Sequence, residues 1–118
     1  MKLITKAMVA PLIAAYEHSA ETGEGGKKII AKLFTPWGAA SWHIVSATPL
    51  DAINGEPCEP ENAKDWHMFG LCDLGMGFPE LGYVLLSQLQ EIHDPFGLTI
   101  ERDMHYGEHL LTEVQQAA

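Results

Sequence analysis

The chain has 118 residues, 47% of them apolar, and a net charge of −9 from seven Lys and Arg against sixteen Asp and Glu. This length fits a single domain, residues 1–118, and the apolar content excludes a disordered tail. No run of about 18 apolar residues is available to span a membrane, and duplex phosphate binding lacks its basic footprint.

In chain order, Thr5 to His18 is predicted as a helix. Ile4, Met8, Leu12 and Tyr16 recur at every fourth position with Ala15 beside them, which makes one apolar stripe. Thr5 caps its start. Pro11 removes a hydrogen bond from a helix interior and clashes one turn back, at about 3 kcal/mol, so the helix is expected to kink there or to begin late. The polar SAETGEGGKK (19–28) ends it as a loop. Ile29 to Thr35 is predicted as a strand stopped by Pro36, and Ser41 to Thr48 as the next, after the turn PWGAA. In the second strand Trp42 and Ile44 take one face, His43 and Val45 the other.

Residues 49–65, with three prolines, an Asn-Gly pair and Asp51, Glu56, Glu59, Glu61 and Asp65, are expected to form an exposed acidic loop. Trp66 to Leu74 follows as a strand apolar on both faces, which places it inside the sheet. Gly82 to Leu86 is the fourth strand, Ser87 caps a short helix in QLQEI, HDPFG turns the chain, and Leu98 to Met104 is the fifth strand. GEHLLTEVQQAA carries weak helical spacing through Leu110, Leu111 and Val114. The order implies an α+β domain. It has a mostly antiparallel sheet of four to five strands, an N-terminal helix and one or two short C-terminal helices.

The segment GLCDLGMGFPELGYV (70–84) holds four glycines and tests for a phosphate cradle. A dinucleotide fingerprint needs G-x-G-x-x-G between a strand and a helix. Here Gly75 and Gly77 are followed at the sixth place by Glu80, the next glycine is Gly82, and a strand follows. No helix N-terminus receives an anion and Glu80 repels one. The segment reads instead as a hairpin, with Gly75 and Gly77 supplying positive φ at the reversal.

The six histidines, His18, His43, His67, His93, His105 and His109, show no tight ligand pairs. His43, His67 and Asp73, with His105, are the one set that a metal-dependent enzyme would use. There is no G-x-S-x-G elbow. Cys72 with His43 or His67, and Asp73 with Glu80, remain formal catalytic pairs. In ERDMHY, Glu101, Asp103 and His105 share one face if extended, as a charged edge strand would. Cys58 and Cys72 form no CxxC, and with no export signal they are expected as free thiols in the cytoplasm. No cofactor is implied.

Six of the seven cations lie at or before Lys64, and from Asp65 onward nine acids face only Arg102. A partner is therefore expected to be a protein with a basic surface. Trp37 on PWG and Phe78 on GFPE are aromatics suited to anchor such a contact. Single-stranded nucleic acid is the other option, with Trp37, Trp42, Trp66 and Phe69 as stacking platforms beside Lys27, Lys28 and Lys32.

KLFTP (32–36), FGLCDLGMGFPELGYVLLSQL (69–89) and GLTIERDMHY (97–106), with the opening LITKAMVAPLIA (3–14), resemble domain-of-unknown-function family 2958. The resemblance implies an accessory role in plasmid and mobile-element biology and supplies no reaction. The resulting expectation is a non-catalytic binding or regulatory protein, in its sharper form an inhibitor of a host defence nuclease. Its surface would be drawn from Trp37, Asp73, Gly75, Gly77, Phe78, Glu80 and Asp103.

Overall fold

Antiparallel pairing between sequence neighbours builds most of the structure, a computed structural model that describes residues 2–22, 28–51 and 55–117. Helix α1 (Lys6–Thr22) is followed by β1 (Lys28–Ile29), β2 (Ala31–Phe34), β3 (Ser41–Leu50), β4 (Asp65–Asp73) and β5 (Glu80–Leu85). Then come α2 (Leu86–Glu91), β6 (Glu101–Arg102), β7 (His109–Leu110) and α3 (Leu111–Ala117). The main sheet has five strands in the order β5-β4-β3-β2-β6, every described pair antiparallel. The α+β architecture is the one the residue pattern predicts.

The face of the sheet that carries Trp42, Ile44, Ala47 and Met68 receives α1 through Leu12, which is fully buried, and α2 through Leu86 and Leu89. Fully burying such a side chain stabilises by about 1.5–3 kcal/mol. Met8 and Ile4 lie against the same cluster, so the predicted stripe is the buried one. The opposite face, with Ile29, Val45 and Leu71, is closed by Leu111 and Val114 of α3.

Several details differ from expectation for physical reasons. Helix α1 starts at Lys6 and carries Pro11 inside it. The late start does not occur, because Pro11 is on the exposed side and packing through Leu12 offsets the lost bond. The single strand expected over Ile29–Thr35 breaks at Ile30: β1 pairs with β7, whereas β2 pairs with β3 and β6. The acidic connection loses Pro49 and Leu50 to β3 and contains a 3₁₀ turn at Pro60–Asn62. Residues 52–54 of that predicted loop, and 23–27 of the earlier one, lie outside the described residues.

Ser87 is not the cap of α2. It lies one position inside the helix, where its N–H and hydroxyl both donate to the Asp65 carboxylate at 3.0 and 2.6 Å. The cap position is Leu85, whose N–H donates to Gln88 Oε1 at 3.0 Å. The fifth strand shrinks to Glu101–Arg102, because the chain bends at Asp103, whose Oδ1 accepts the His105 N–H at 3.0 Å. Glu101, Asp103 and His105 therefore do not form one extended face.

Candidate functional site

The β4–β5 hairpin forms because its reversal falls on Gly75 and Gly77, at φ 79° and 82°. In that region a side chain is strained and glycine is not. Asp73 Oδ1 accepts the Gly75 N–H at 2.8 Å, an Asx turn that fixes where the strand ends. A Cβ at Gly75 would fall 2.6 Å from the Ala39 Cβ, so the hairpin tip abuts the β2–β3 turn. The residues between and after these glycines cannot reach a core. Met76 and Phe78 are 70% and 82% exposed, and Leu74 is also exposed.

Beside the tip lies a cavity of about 380 Å3, within the size range of ligand and anchor pockets. Its origin is a cross-strand pair of glycines. Gly70 of β4 stands directly opposite Gly82 of β5, so the ladder offers no side chain on either strand there. Trp42, Ile44, Cys72 and Val84 line the space, Leu74, Met76 and Phe78 overhang it, and Glu80 is the carboxylate among the lining residues.

The two glycines differ. A Cβ on Gly82 would meet nothing within 4 Å, whereas one on Gly70 would lie 2.0 Å from the His43 carbonyl oxygen. The cause at Gly70 is a β-bulge in β3: Ile44 pairs with Gly70 and Ser46 with Phe69, leaving Val45 as the extra residue. The bulge presses the β3 backbone against Gly70 and shifts the alternation beyond Val45, so that Ala47 returns to the face of Ile44.

The far side of the hairpin is also apolar and open. Tyr83 is 63% exposed, stacks on His67 with centroids 4.6 Å apart and planes 7° apart, and tilts against Phe69 at 5.0 Å. Leu81 is exposed beside it.

Glu80 carries no ion-pair partner among the described residues. The Cys72 thiol is pushed above its usual range by burial and then by the Asp73 charge, with the Trp42 indole opposing. Cys58 is raised as well, by desolvation and then by Asp51, Glu59 and Glu61. Both are therefore thiols rather than thiolates near neutral pH and weak nucleophiles.

The other sequence-derived candidates separate. Trp37 sits on the β2–β3 turn, partly exposed, and does not line the cavity. Asp103 lies past the opposite edge strand, its N–H donating to the Lys32 carbonyl at 2.9 Å. Four interstrand steps of about 4.8 Å put it about 19 Å from β5.

His43, His67 and Asp73 do not converge. His43 is paired with Leu71, is 6% exposed and faces Tyr106, at 5.8 Å between centroids. His67 is paired with Thr48 and stacks on Tyr83. Among the described residues no three His, Cys, Asp or Glu side chains lie close enough to hold a metal ion. His105 and His109 are not on one helix, since 109 is in β7.

His43 Nδ1 is buried without a hydrogen-bond partner among the described residues. Burial, then the charge of Lys32, hold the imidazole below its usual range, with the Leu71 backbone and Asp73 opposing. It is a neutral group within the packed interior. The stacking platform dissolves too: Trp42 and Trp66 belong to the core on the α1 face and Phe69 to that on the other face. Lys28 pairs with Glu108 at 2.9 Å, and Lys32 sits over the Tyr106 ring.

The family model described as protein of unknown function DUF2958 matches residues 3–118, nearly the whole chain. The chain belongs to that family. No curated protein and no solved structure matches this DUF2958 chain. No described helix is long and apolar enough to cross a membrane.

Sequence reasoning placed Gly75, Gly77, Phe78 and Glu80 in the hairpin but missed Leu74, Met76, Leu81 and Tyr83 as its partners. It also missed Phe96, which is 93% exposed at the tip of a second turn. That turn is held by Asp94, whose Oδ1 accepts the Phe96 and Leu98 N–H groups at 3.0 and 2.7 Å. The alternation ELGYVL signals one apolar face for β5, and at the sheet edge Leu81 and Tyr83 on that face stay exposed.

Proposed function

We propose that this chain is a non-catalytic binding protein that acts through protein contacts made by the β4–β5 hairpin. One observation carries the reading: Leu74, Met76 and Phe78 stand exposed around a ready-formed apolar cavity, with Leu81 and Tyr83 exposed along the adjoining strand. Contiguous exposed apolar surface of this kind marks an interaction site more often than chance exposure. Aromatic and Met side chains are the types enriched in interface cores. The charge of −9 selects against acidic partners and favours a basic one. An accessory role in mobile-element biology, including inhibition of a host defence nuclease, suits a small acidic binder and is the cellular setting we propose.

The test compares wild type with the double variant Met76→Asp/Phe78→Asp in retention of host-lysate proteins over a salt series. Retention by wild type at low salt, lost in the double variant, is the expected result. The same proteins retained by both would end this reading.

A further inference from the structure

The β5 strand is an edge of the sheet, and it lacks the devices that normally protect an edge. It is six residues long, ELGYVL, with Glu80 as its single charge and no proline. The opposite edge, β6, is two residues long and both are charged. Leu85 N–H is taken by Gln88 Oε1 rather than by β4. The alternation of an antiparallel ladder then turns the N–H and C=O of Leu81 and Tyr83 outward. No described group bonds to them.

A strand added to this edge would set one residue opposite Gly82. Its side chain would stand on the same face as Gly82 and Gly70, over the cavity whose floor those glycines leave open. Two positions along on the same face, the next side chain would stand opposite Glu80, the carboxylate of the cavity, which has no ion-pair partner among the described residues.

We propose that the β5 edge and the Gly70–Gly82 cavity together receive an extended segment of a partner protein. That segment carries a large apolar side chain at one position and Lys or Arg two positions away. Main-chain bonds to Leu81 and Tyr83 supply affinity, and the cavity with Glu80 supplies specificity, the division seen wherever a peptide augments a sheet. Charge decides the class of occupant: a basic segment complements Glu80 and the −9 net charge, whereas a second copy of this chain brings the same sign. This proposal rests on the hairpin reading above and sharpens it.

The probe is the dye-labelled peptide TRTWTRT, which reads the same in both strand directions and so presents Arg to Glu80 whichever way it docks. Its controls are TRTGTRT, without the filler, and TETWTET, with the charge reversed. Anisotropy titration of wild type should give saturable binding to TRTWTRT, with both controls weaker by about tenfold or more. Gly82→Val should lose about tenfold in affinity for TRTWTRT, because its side chain grows into the cavity. Its thermal midpoint should not fall below that of wild type, since a Cβ there meets nothing within 4 Å and the unfolded chain loses glycine's freedom. Glu80→Gln should lose about threefold, and high salt should remove the difference.

The proposal is overturned if wild type does not bind TRTWTRT up to about 1 mM, if TRTGTRT binds as well, or if Gly82→Val binds as wild type does. It is overturned too if wild type sediments as a dimer that Gly82→Val dissociates, for then a second copy occupies the edge. Lysate capture lost in Met76→Asp/Phe78→Asp but kept in Gly82→Val ends the strand-addition proposal and leaves the hairpin reading standing. Capture kept by both variants ends both.

Discussion

Replacing Gly70 by alanine sets a Cβ 2.0 Å from the His43 carbonyl oxygen, 2.8 Å from that carbonyl carbon and 2.9 Å from Ile44 Cα. All three are backbone atoms at the bulge, so no side chain can swing aside. A carbon–oxygen contact needs about 3.3 Å, so β3 or β4 must move by about 1.3 Å in the middle of the sheet. Overpacking of a core costs about 1–3 kcal/mol when side chains adjust; a rigid backbone puts Gly70→Ala at about 3 kcal/mol or above. For a chain near this length that lowers Tm by about 12 °C. Gly82, directly across the ladder, is the control. Its Cβ meets nothing within 4 Å, so Gly82→Ala only restricts the unfolded chain and gains about 0.4–1 kcal/mol. Thermal unfolding followed by circular dichroism reads both. Equal midpoints for the two variants, or a Gly70→Ala loss under about 1 kcal/mol, would refute the bulge as the reason for glycine at 70.

Three further outcomes follow from the same structure. His43 is held below its ordinary pKa of about 6.5 by burial, so the unfolded chain binds its proton first as pH falls. Stability is full above about pH 6.5 and declines below it; His43→Phe should flatten the profile below about pH 6.5 in urea titrations, and an unchanged slope would count against it. Asp65→Asn should lower stability by about 1–3 kcal/mol, because the carboxylate accepts both donors of Ser87 and ties α2 to β4; chemical denaturation measures it. Met76→Asp/Phe78→Asp should leave Tm within about 2 °C of wild type, since both side chains are mostly exposed.

What the residue pattern reveals depends on how local the deciding interaction is. The alternation in Trp42 to Val45 and in Trp66 to Asp73 identifies β3 and β4 and their faces, because burial on both sides leaves near-continuous apolar runs. Gly75 and Gly77 announce the reversal, since a positive φ is a local demand. The break at Ile30 is not local. It arises because Lys28 and Ile29 find β7, some eighty residues on, as a partner. Ser87 has the chemistry of a cap, and only the fold brings Asp65 to it and moves the cap to Leu85.

The cavity was hidden for the same reason. Gly70 and Gly82 look like scattered glycines until the register of β4 on β5 sets them opposite each other, and the bulge at Val45 makes one obligatory and the other free. The separation of His43, His67 and Asp73 also belongs to register: His43 stands at Leu71 and His67 at Thr48, so sharing a face does not make them neighbours.

Amide hydrogen exchange of wild type, free and with TRTWTRT, addresses the central claim most directly, because it reports on the β5 edge itself. Leu81 and Tyr83 should exchange as open edge amides when free and gain protection when the peptide binds, with β6 unchanged. Leu81 and Tyr83 exchanging alike in both states, or protection arising at β6 instead, would contradict the account.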